Sequence, residues 1–315
     1  MMPVKHEGPR GSSGLEAVCF GALNMDRLYK VDRIAGADEE SWIVGFTESP
    51  GGSAANTAVG LARLGVRTGY IGKVAKDRDG TLLLEAFRRE GVDTGGIVIS
   101  ESGRSGVVMG YVDLKGERAL YVDPGVNDLL DFDEVKVEYA AGAEVLHLTS
   151  FIGDRSFEAQ KRLVEALSDV KVTLDPGALY ARRGFEELRP IITRCYALLP
   201  NEAELRLLTG ARGYVEGSRL IMDEGVKVVA VKLGERGCYV TDGTEEHLIG
   251  PYTVDVVDTT GAGDAFNAGF LYGLVRGKPL KMCGLLGNYT ASRCITKMGA
   301  RNGLPRLREL PQNLR

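Results

Sequence analysis

Short β-branched runs alternate with segments of helical periodicity along almost the whole chain, and this alternation restricts the fold more than any other feature. Residues 17–22 read as a first buried strand, 54–64 repeat apolar residues at helical spacing, and 68–74 are strand-like again. A helix is expected at 82–89, ending at Gly91. Further strands are expected near 145–148, 172–174, 197–199 and 228–232, with helices near 156–167, 202–208, 214–223, 263–275 and 281–297. Strand, helix and strand in succession make a crossover, so the pattern predicts a mainly parallel sheet covered on both faces. Residues 1–15 are polar and are expected to form a disordered tail ahead of a single α/β domain at 16–310.

Two segments break the alternation. Residues 41–46 are β-rich and follow the first strand, and 105–123 read as a hairpin with strands 106–112 and 118–122 around a turn at 114–117. They are expected to pair into a small accessory sheet, a lid or an oligomer contact, within inserted segments at about 27–50 and 103–124.

Composition removes several classes. Glycine supplies 42 of 315 residues, nearly double the usual share of about 7%, yet no Gly-X-Y period exists. Such a surplus suits tight turns and loops where backbone approaches a ligand. The net charge of −4, with no long basic run, argues against nucleic acid or an acidic membrane surface as partner. No apolar stretch is long enough to span a membrane. The five cysteines form no Cys-x-x-Cys pair and the three histidines are far apart, so no zinc cluster is expected. Free thiols suit a reducing cytoplasm.

Four clusters carry chemistry. In Asp258-Thr-Thr-Gly-Ala-Gly-Asp264, the run Gly261-Ala262-Gly263 opens a helix after a strand-like stretch at 253–257. Free amides and the helix dipole there favour an anion. Asp264, in the first turn, could accept the proton of a hydroxyl that attacks a bound phosphate. A tight turn with a helix-start aspartate is the structural alternative. The second cluster joins Gly51, Gly52 and Asn56, at the start of a helix, with Asn24 and Asp26, read as the end of the first strand. Ligands bind beyond strand carboxyl ends in parallel sheets, where these groups could hold vicinal hydroxyls; turn chemistry is the alternative. Third, Asn201 and Glu204 stand three apart at a helix start, suited to capping or to hydrated magnesium and phosphate. Fourth, Lys232, Gly234 and Gly237 form a turn that could lie against adenine or ribose. Walker A and dinucleotide fingerprints are absent.

Together and in this order the clusters resemble the ribokinase family of carbohydrate kinases, also called the PfkB family, over about residues 16–305. The resemblance implies a three-layer α/β/α sandwich with a small β lid, and transfer of phosphate from ATP, or ADP, to a hydroxymethyl group of a sugar. It implies Asp264 as base, with Gly261, Ala262 and Gly263 as its anion hole, and sugar contacts from Asn24, Asp26, Gly51, Gly52 and Asn56. Nucleotide contacts would come from Asn201, Lys232, Gly234, Gly237, Gly263 and Asn288, and Glu204 would hold Mg²⁺ through water. Asp258, Thr260 and Gly299 resemble a monovalent-cation site, for K⁺. A cytoplasmic homodimer joined through the lid is implied as well. Three departures stand out: Ser53 replaces a lysine, the run Leu146-His-Leu-Thr-Ser150 lacks a ribose-binding glutamate, and Gly303 replaces a polar residue. A nucleoside or ribose 1-phosphate is the alternative acceptor, and a non-catalytic sugar binder the alternative activity. An apolar pocket at Trp42, Met109 and Tyr121 would favour a nucleobase, and free Lys or Arg a sugar phosphate.

Overall fold

The computed structural model describes residues 14–315. The tail expected at 1–15 therefore lies outside the described residues, apart from Gly14 and Leu15. From β1 (Ala17–Phe20) the chain passes through two long strands, β2 (Asn24–Val31) and β3 (Ile43–Gly51), and returns by α1 (Ser53–Arg63). β4 (Thr68–Ala75), α2 (Arg78–Glu90) and β5 (Asp93–Ser100) follow, then a hairpin of β6 (Gly106–Val112) and β7 (Arg118–Asp123). Next come α3 (Val137–Ala141), β8 (Val145–Thr149), α4 (Asp154–Ala166), β9 (Lys171–Asp175), α5 (Gly177–Arg183) and α6 (Phe185–Ile192). β10 (Cys195–Leu198), α7 (Glu202–Thr209), α8 (Tyr214–Asp223) and β11 (Val228–Lys232) continue the alternation. β12 (Cys238–Thr241), β13 (Glu246–Ile249), α9 (Ala262–Val275) and α10 (Leu280–Cys294) complete it.

Nine strands form one sheet in the order β13-β12-β11-β10-β9-β8-β1-β4-β5. Neighbours from β5 to β11 run parallel, and β12 and β13 form an antiparallel edge. β1 shows why this sheet is the middle of three layers. All four of its residues are buried, and alternate side chains point to opposite faces. Ala17 and Cys19 join the core shared with α1, α2, α9 and α10, while Val18 and Phe20 join the core shared with α4 to α8. The chain leaves β1 towards β4 on one side and resumes at β8 on the other. At such a reversal, a crevice opens beyond the carboxyl ends of the strands.

The second sheet, β3-β2-β6-β7, holds the two segments that broke the alternation. It is mixed: β2 runs parallel to β6, and the two outer pairs are antiparallel. Asn127, fully buried, fixes the turn through which β1 of the large sheet passes into β2. Its Oδ1 accepts from the Leu23 amide at 2.9 Å, and its Nδ2 donates to the Leu23 carbonyl at 2.8 Å and to Asn24 Oδ1 at 2.9 Å.

Several sequence readings change. Asn24 does not end β1 but opens β2, because Gly21–Leu23 turn the chain into the second sheet. Residues 253–257 alternate like a strand but form none. Pro251, which lacks an amide donor, follows the last strand, and the Val257 amide instead donates to the carbonyl of Ile295. The helix expected to reach residue 297 stops at Cys294. β5, β12 and β13 were not expected; a glycine pair dilutes the pattern in the first, and the other two have four residues each. Among the described residues, no helix is long and apolar enough to cross a membrane.

Candidate active site

The parallel strands deliver their ends to one crevice. Thr149, Asp175, Asn201 and Lys232, at or just beyond the ends of β8, β9, β10 and β11, line a cavity of about 750 Å³. α9 starts at the cavity's edge. Gly261, its N-cap, holds φ at 77°, a left-handed conformation that glycine adopts without strain. A Cβ there would lie 2.5 Å from that of Ala300, so the turn has no room for a side chain. Ala262, Gly263 and Asp264 then line the cavity at the positive end of the helix dipole.

Asp264 is where two groups of residues meet. Its Oδ2 accepts from Asn56 Nδ2 at 2.8 Å, and its backbone carbonyl accepts from Thr57 Oγ1 at 3.3 Å. Burial pushes its carboxyl up to about 7, against the Asn56 hydrogen bond; the Asp175 charge raises it further and Lys232 opposes this. A carboxyl in that range accepts protons efficiently near neutral pH.

On the cavity side, Lys232 Nζ donates to Asp175 Oδ2 at 2.6 Å, and Asn267 Nδ2 donates to the same oxygen at 2.6 Å. Burial opposes ionisation of Asp175, yet Lys232 and Asn267 hold it below the usual carboxylate range. Neither Asp175 nor Asn267 was singled out from the sequence. Asn267 follows Asp264 by three positions and so shares its helix face, and Asp175 ends a recognised strand; both signals were legible. A Cβ on Gly263 would lie 3.6 Å from Lys232 Nζ, which places this cation beside the helix entrance.

Asn201 and Glu204 form a reciprocal cap on α7. Glu204 Oε2 accepts from the Asn201 amide at 2.8 Å, and Asn201 Oδ1 accepts from the Glu204 amide at 2.8 Å. Both also line the cavity, so the cap leaves them open to it. Burial, with the Asp175 charge, raises the Glu204 carboxyl. Gly234 and Gly237 bound a hairpin turn between β11 and β12. Gly237 is at φ 85°, and a Cβ there would sit 2.0 Å from the Ile249 carbonyl oxygen. Asn288 Nδ2 donates to the carbonyls of Ile249 and Gly250, both at 3.0 Å, so its amide shapes this wall.

Beyond Asp264 lie the remaining expected residues, outside that cavity. Asn24 and Asp26 share one face of β2, while Met25 between them is buried. A Cβ on Gly51 would approach Asp26 Oδ2 to 2.1 Å, so only glycine lets the carboxylate lie against β3. Gly52, at φ 100°, turns the chain into α1. Burial pushes Asp26 up to about 6, against the charge of Arg301. Arg301 was missed. Its Nε donates to Asn56 Oδ1 at 2.8 Å and its Nη2 to the Gly51 carbonyl at 3.3 Å, across 245 and 250 residues of sequence. No local pattern encodes such a contact.

Asp258, Thr260 and Gly299 also converge. Asp258 Oδ1 accepts from the Thr260 amide at 2.9 Å and Oδ2 from the Gly299 amide at 2.7 Å, which clasps the loop ahead of α9. Among the described residues, no cluster of three or more His, Cys, Asp or Glu side chains could hold a metal ion.

Residues 15–307 match the family described as pfkB family carbohydrate kinase. The chain belongs to this family. It is 48% identical over 251 residues to a sugar kinase from Archaeoglobus fulgidus, covering 79% of this chain and 99% of that one. It is 36% identical over 251 residues to an ATP-dependent ribose-1-phosphate kinase from Halopiger xanaduensis, covering 80% and 82%. The solved ribokinase of Arabidopsis thaliana, complexed with ribose and ATP, matches with a TM-score of 0.84 at 26% identity, over 93% of this chain and 96% of that one. The three-layer sandwich is accordingly the ribokinase-like fold, and this pfkB protein is a carbohydrate kinase, a phosphotransferase with an alcohol acceptor.

Proposed function

We propose that this kinase moves the terminal phosphoryl group of ATP to a hydroxymethyl group of a sugar, with Asp264 as general base. The observation that carries this reading is the place of Asp264. Its carboxyl sits at the entrance of α9, with the Lys232 cavity on one side and the polar Asn56–Gly51–Asp26 wall on the other. The acceptor hydroxyl lies against Asp26, Asn24, Gly51, Gly52 and Asn56, within reach of Asp264. As its oxygen bonds to phosphorus, the bond from phosphorus to the nucleotide oxygen breaks in line, and the hydroxyl proton passes to Asp264. The amides of Gly261, Ala262 and Gly263 stabilise charge on the transferring group. Lys232 supports the same phosphates from the side, and the Gly234–Gly237 turn, Asn201 and Asn288 hold the rest of the nucleotide.

The donor set fits Mg²⁺ carried mainly by nucleotide phosphates and water, as is usual for this ion. Glu204 would hold it through water, since a cation there would relieve the burial and the Asp175 charge that raise this carboxyl. Bound Mg²⁺ neutralises charge building on the phosphates. The second sheet, with the segments 27–50 and 103–124 of the single domain, acts as a lid that excludes water. It exposes Trp42 (67%), Ile43 (56%) and Tyr121 (59%), apolar surface that supports a homodimer in which two lids meet. Similarity to the Halopiger ribose-1-phosphate kinase favours a second reading, in which the sugar already bears a phosphate.

A coupled assay over ribose, fructose, cytidine, inosine, adenosine and ribose 1-phosphate, each with ATP and with ADP, tests the reading. A sugar or sugar phosphate is expected to turn over best, with ATP. Fastest turnover of a nucleoside, or of any acceptor with ADP alone, would overturn the respective assignment. Running the assay in K⁺ and in Na⁺, with the wild type and Asp258→Ala, tests whether a monovalent ion activates through the Asp258–Thr260–Gly299 clasp.

A further inference from the structure

We infer that Arg301 is a positioning residue, which fixes the side-chain amide of Asn56 so that its NH₂ faces Asp264. The inference rests on the reading of Asp264 as the base. An asparagine amide can present either its oxygen or its nitrogen to a neighbour, and its partners decide which. Here the partners leave one arrangement. Arginine carries only donors, so the Asn56 atom that meets Arg301 Nε at 2.8 Å must be the oxygen. The nitrogen is then the atom that meets Asp264 Oδ2 at 2.8 Å. Arg301 is itself held by the Gly51 carbonyl, and its loop is tied down from behind, because Arg63 Nη1 donates to the carbonyls of Arg301 and Leu304 at 2.6 and 3.1 Å.

The consequence is chemical. With its NH₂ fixed towards Asp264, Asn56 supports the ionised carboxylate, the form that accepts a proton. Without Arg301 the amide is free to turn over, and its oxygen would then accept from protonated Asp264, which favours the inactive form. The other charged or titratable groups facing Asp264 are Lys232, Asp175, Tyr70 and Cys294. None of them bonds to Asn56, so none substitutes for Arg301 in holding the amide.

The test follows the Asp264 carboxyl directly, by ¹³C NMR titration of the full chain labelled at aspartate, with the resonance assigned by its loss in Asp264→Asn. The titration needs no substrate. In Arg301→Met the midpoint is expected to rise by roughly one pH unit, whereas Arg301→Lys, also donor-only, keeps it near the wild-type value. Should the methionine variant not fold, Arg301→Gln replaces it, with the same upward shift expected because its neutral side-chain amide can also accept from the Asn56 nitrogen and so no longer forces the Asn56 oxygen to face it. In parallel, kcat/KM for ribose and for ribose 1-phosphate with MgATP should lose its acid limb at a correspondingly higher pH, through kcat more than KM. An unmoved midpoint in Arg301→Met, or a loss confined to KM for ribose 1-phosphate, would overturn the positioning role. The base assignment fails separately, if Asp264→Asn keeps its kcat.

Discussion

On the cavity side of Asp264, Lys232 meets Asp175 at 2.6 Å within a row of neighbouring strand ends. On the far side, Arg301 crosses from the last part of the chain to Asn56 and Gly51. Each side thus holds one cation and a buried carboxylate, but the two carboxylates differ. Asp175, bonded to both Lys232 and Asn267, stays ionised despite its burial. Asp26 feels Arg301 only through its charge, so burial wins and its carboxyl rises to about 6. A direct bond, rather than a nearby charge, separates a permanently charged wall from one that can take up a proton. The first suits a polyphosphate with its counter-ion, and the second an uncharged polyol.

The sharpest way to break this comparison is at the residue shared by both sides. Asp264→Asn keeps the size of the site but removes the proposed base, and kcat is expected to fall about 10²- to 10⁴-fold. Binding of nucleotide and sugar, followed by calorimetry, should barely change. Because the proposed base, Asp264, would have to be ionised and burial holds it near 7, wild-type kcat/KM should decline below about pH 7, by tenfold per unit at the acid end. A flat profile down to pH 5 would count against this assignment.

Next comes Lys232→Met, which leaves Asp175 buried with one fewer partner. Removing one member of a buried pair costs about 3–5 kcal/mol, so denaturant unfolding should show a loss of that order. The nucleotide KM should rise as well. Pairing it with Asp175→Asn separates the two effects: stability is expected to recover in large part, while the raised KM persists. If KM recovers too, Lys232 serves the fold alone. The corresponding loss on the far side should appear in the pH dependence of Asp264, not in nucleotide affinity.

The two sides were unequally readable from the sequence, for a physical reason. Parallel crossovers bring the residue after each strand to one edge, so Asn201 and Lys232 could be placed once the alternation was seen. Gly261 and the helix after it were legible because a cap is a local structure. The far side joins β2, β3, α1 and the turn holding Arg301, and chain geometry over such separations leaves no short-range trace. Residues 253–257 show the converse error. Their alternation is as regular as a strand's, but a strand exists only where a neighbour accepts its hydrogen bonds, and the chain has already left the sheet at Pro251.

The smallest expected effect concerns Asn201, where local structure and site coincide. Asn201→Ser keeps a side-chain oxygen at the N-cap, and serine caps helices about as well as asparagine. Stability should therefore change by no more than about 0.5 kcal/mol. What serine lacks is the Nδ2 donor, which now meets Glu204 Oε1 at 2.7 Å. Losing it frees a carboxylate that burial and Asp175 already raise, so Glu204 should protonate more readily and meet Mg²⁺ less well. The expected result is a severalfold rise in the Mg²⁺ concentration giving half-maximal rate, steeper at pH 6 than at pH 8. An unchanged magnesium dependence at both pH values would leave Asn201 as a helix cap and nothing more, and the cavity side would then owe its nucleotide chemistry to Lys232 and the α9 entrance alone.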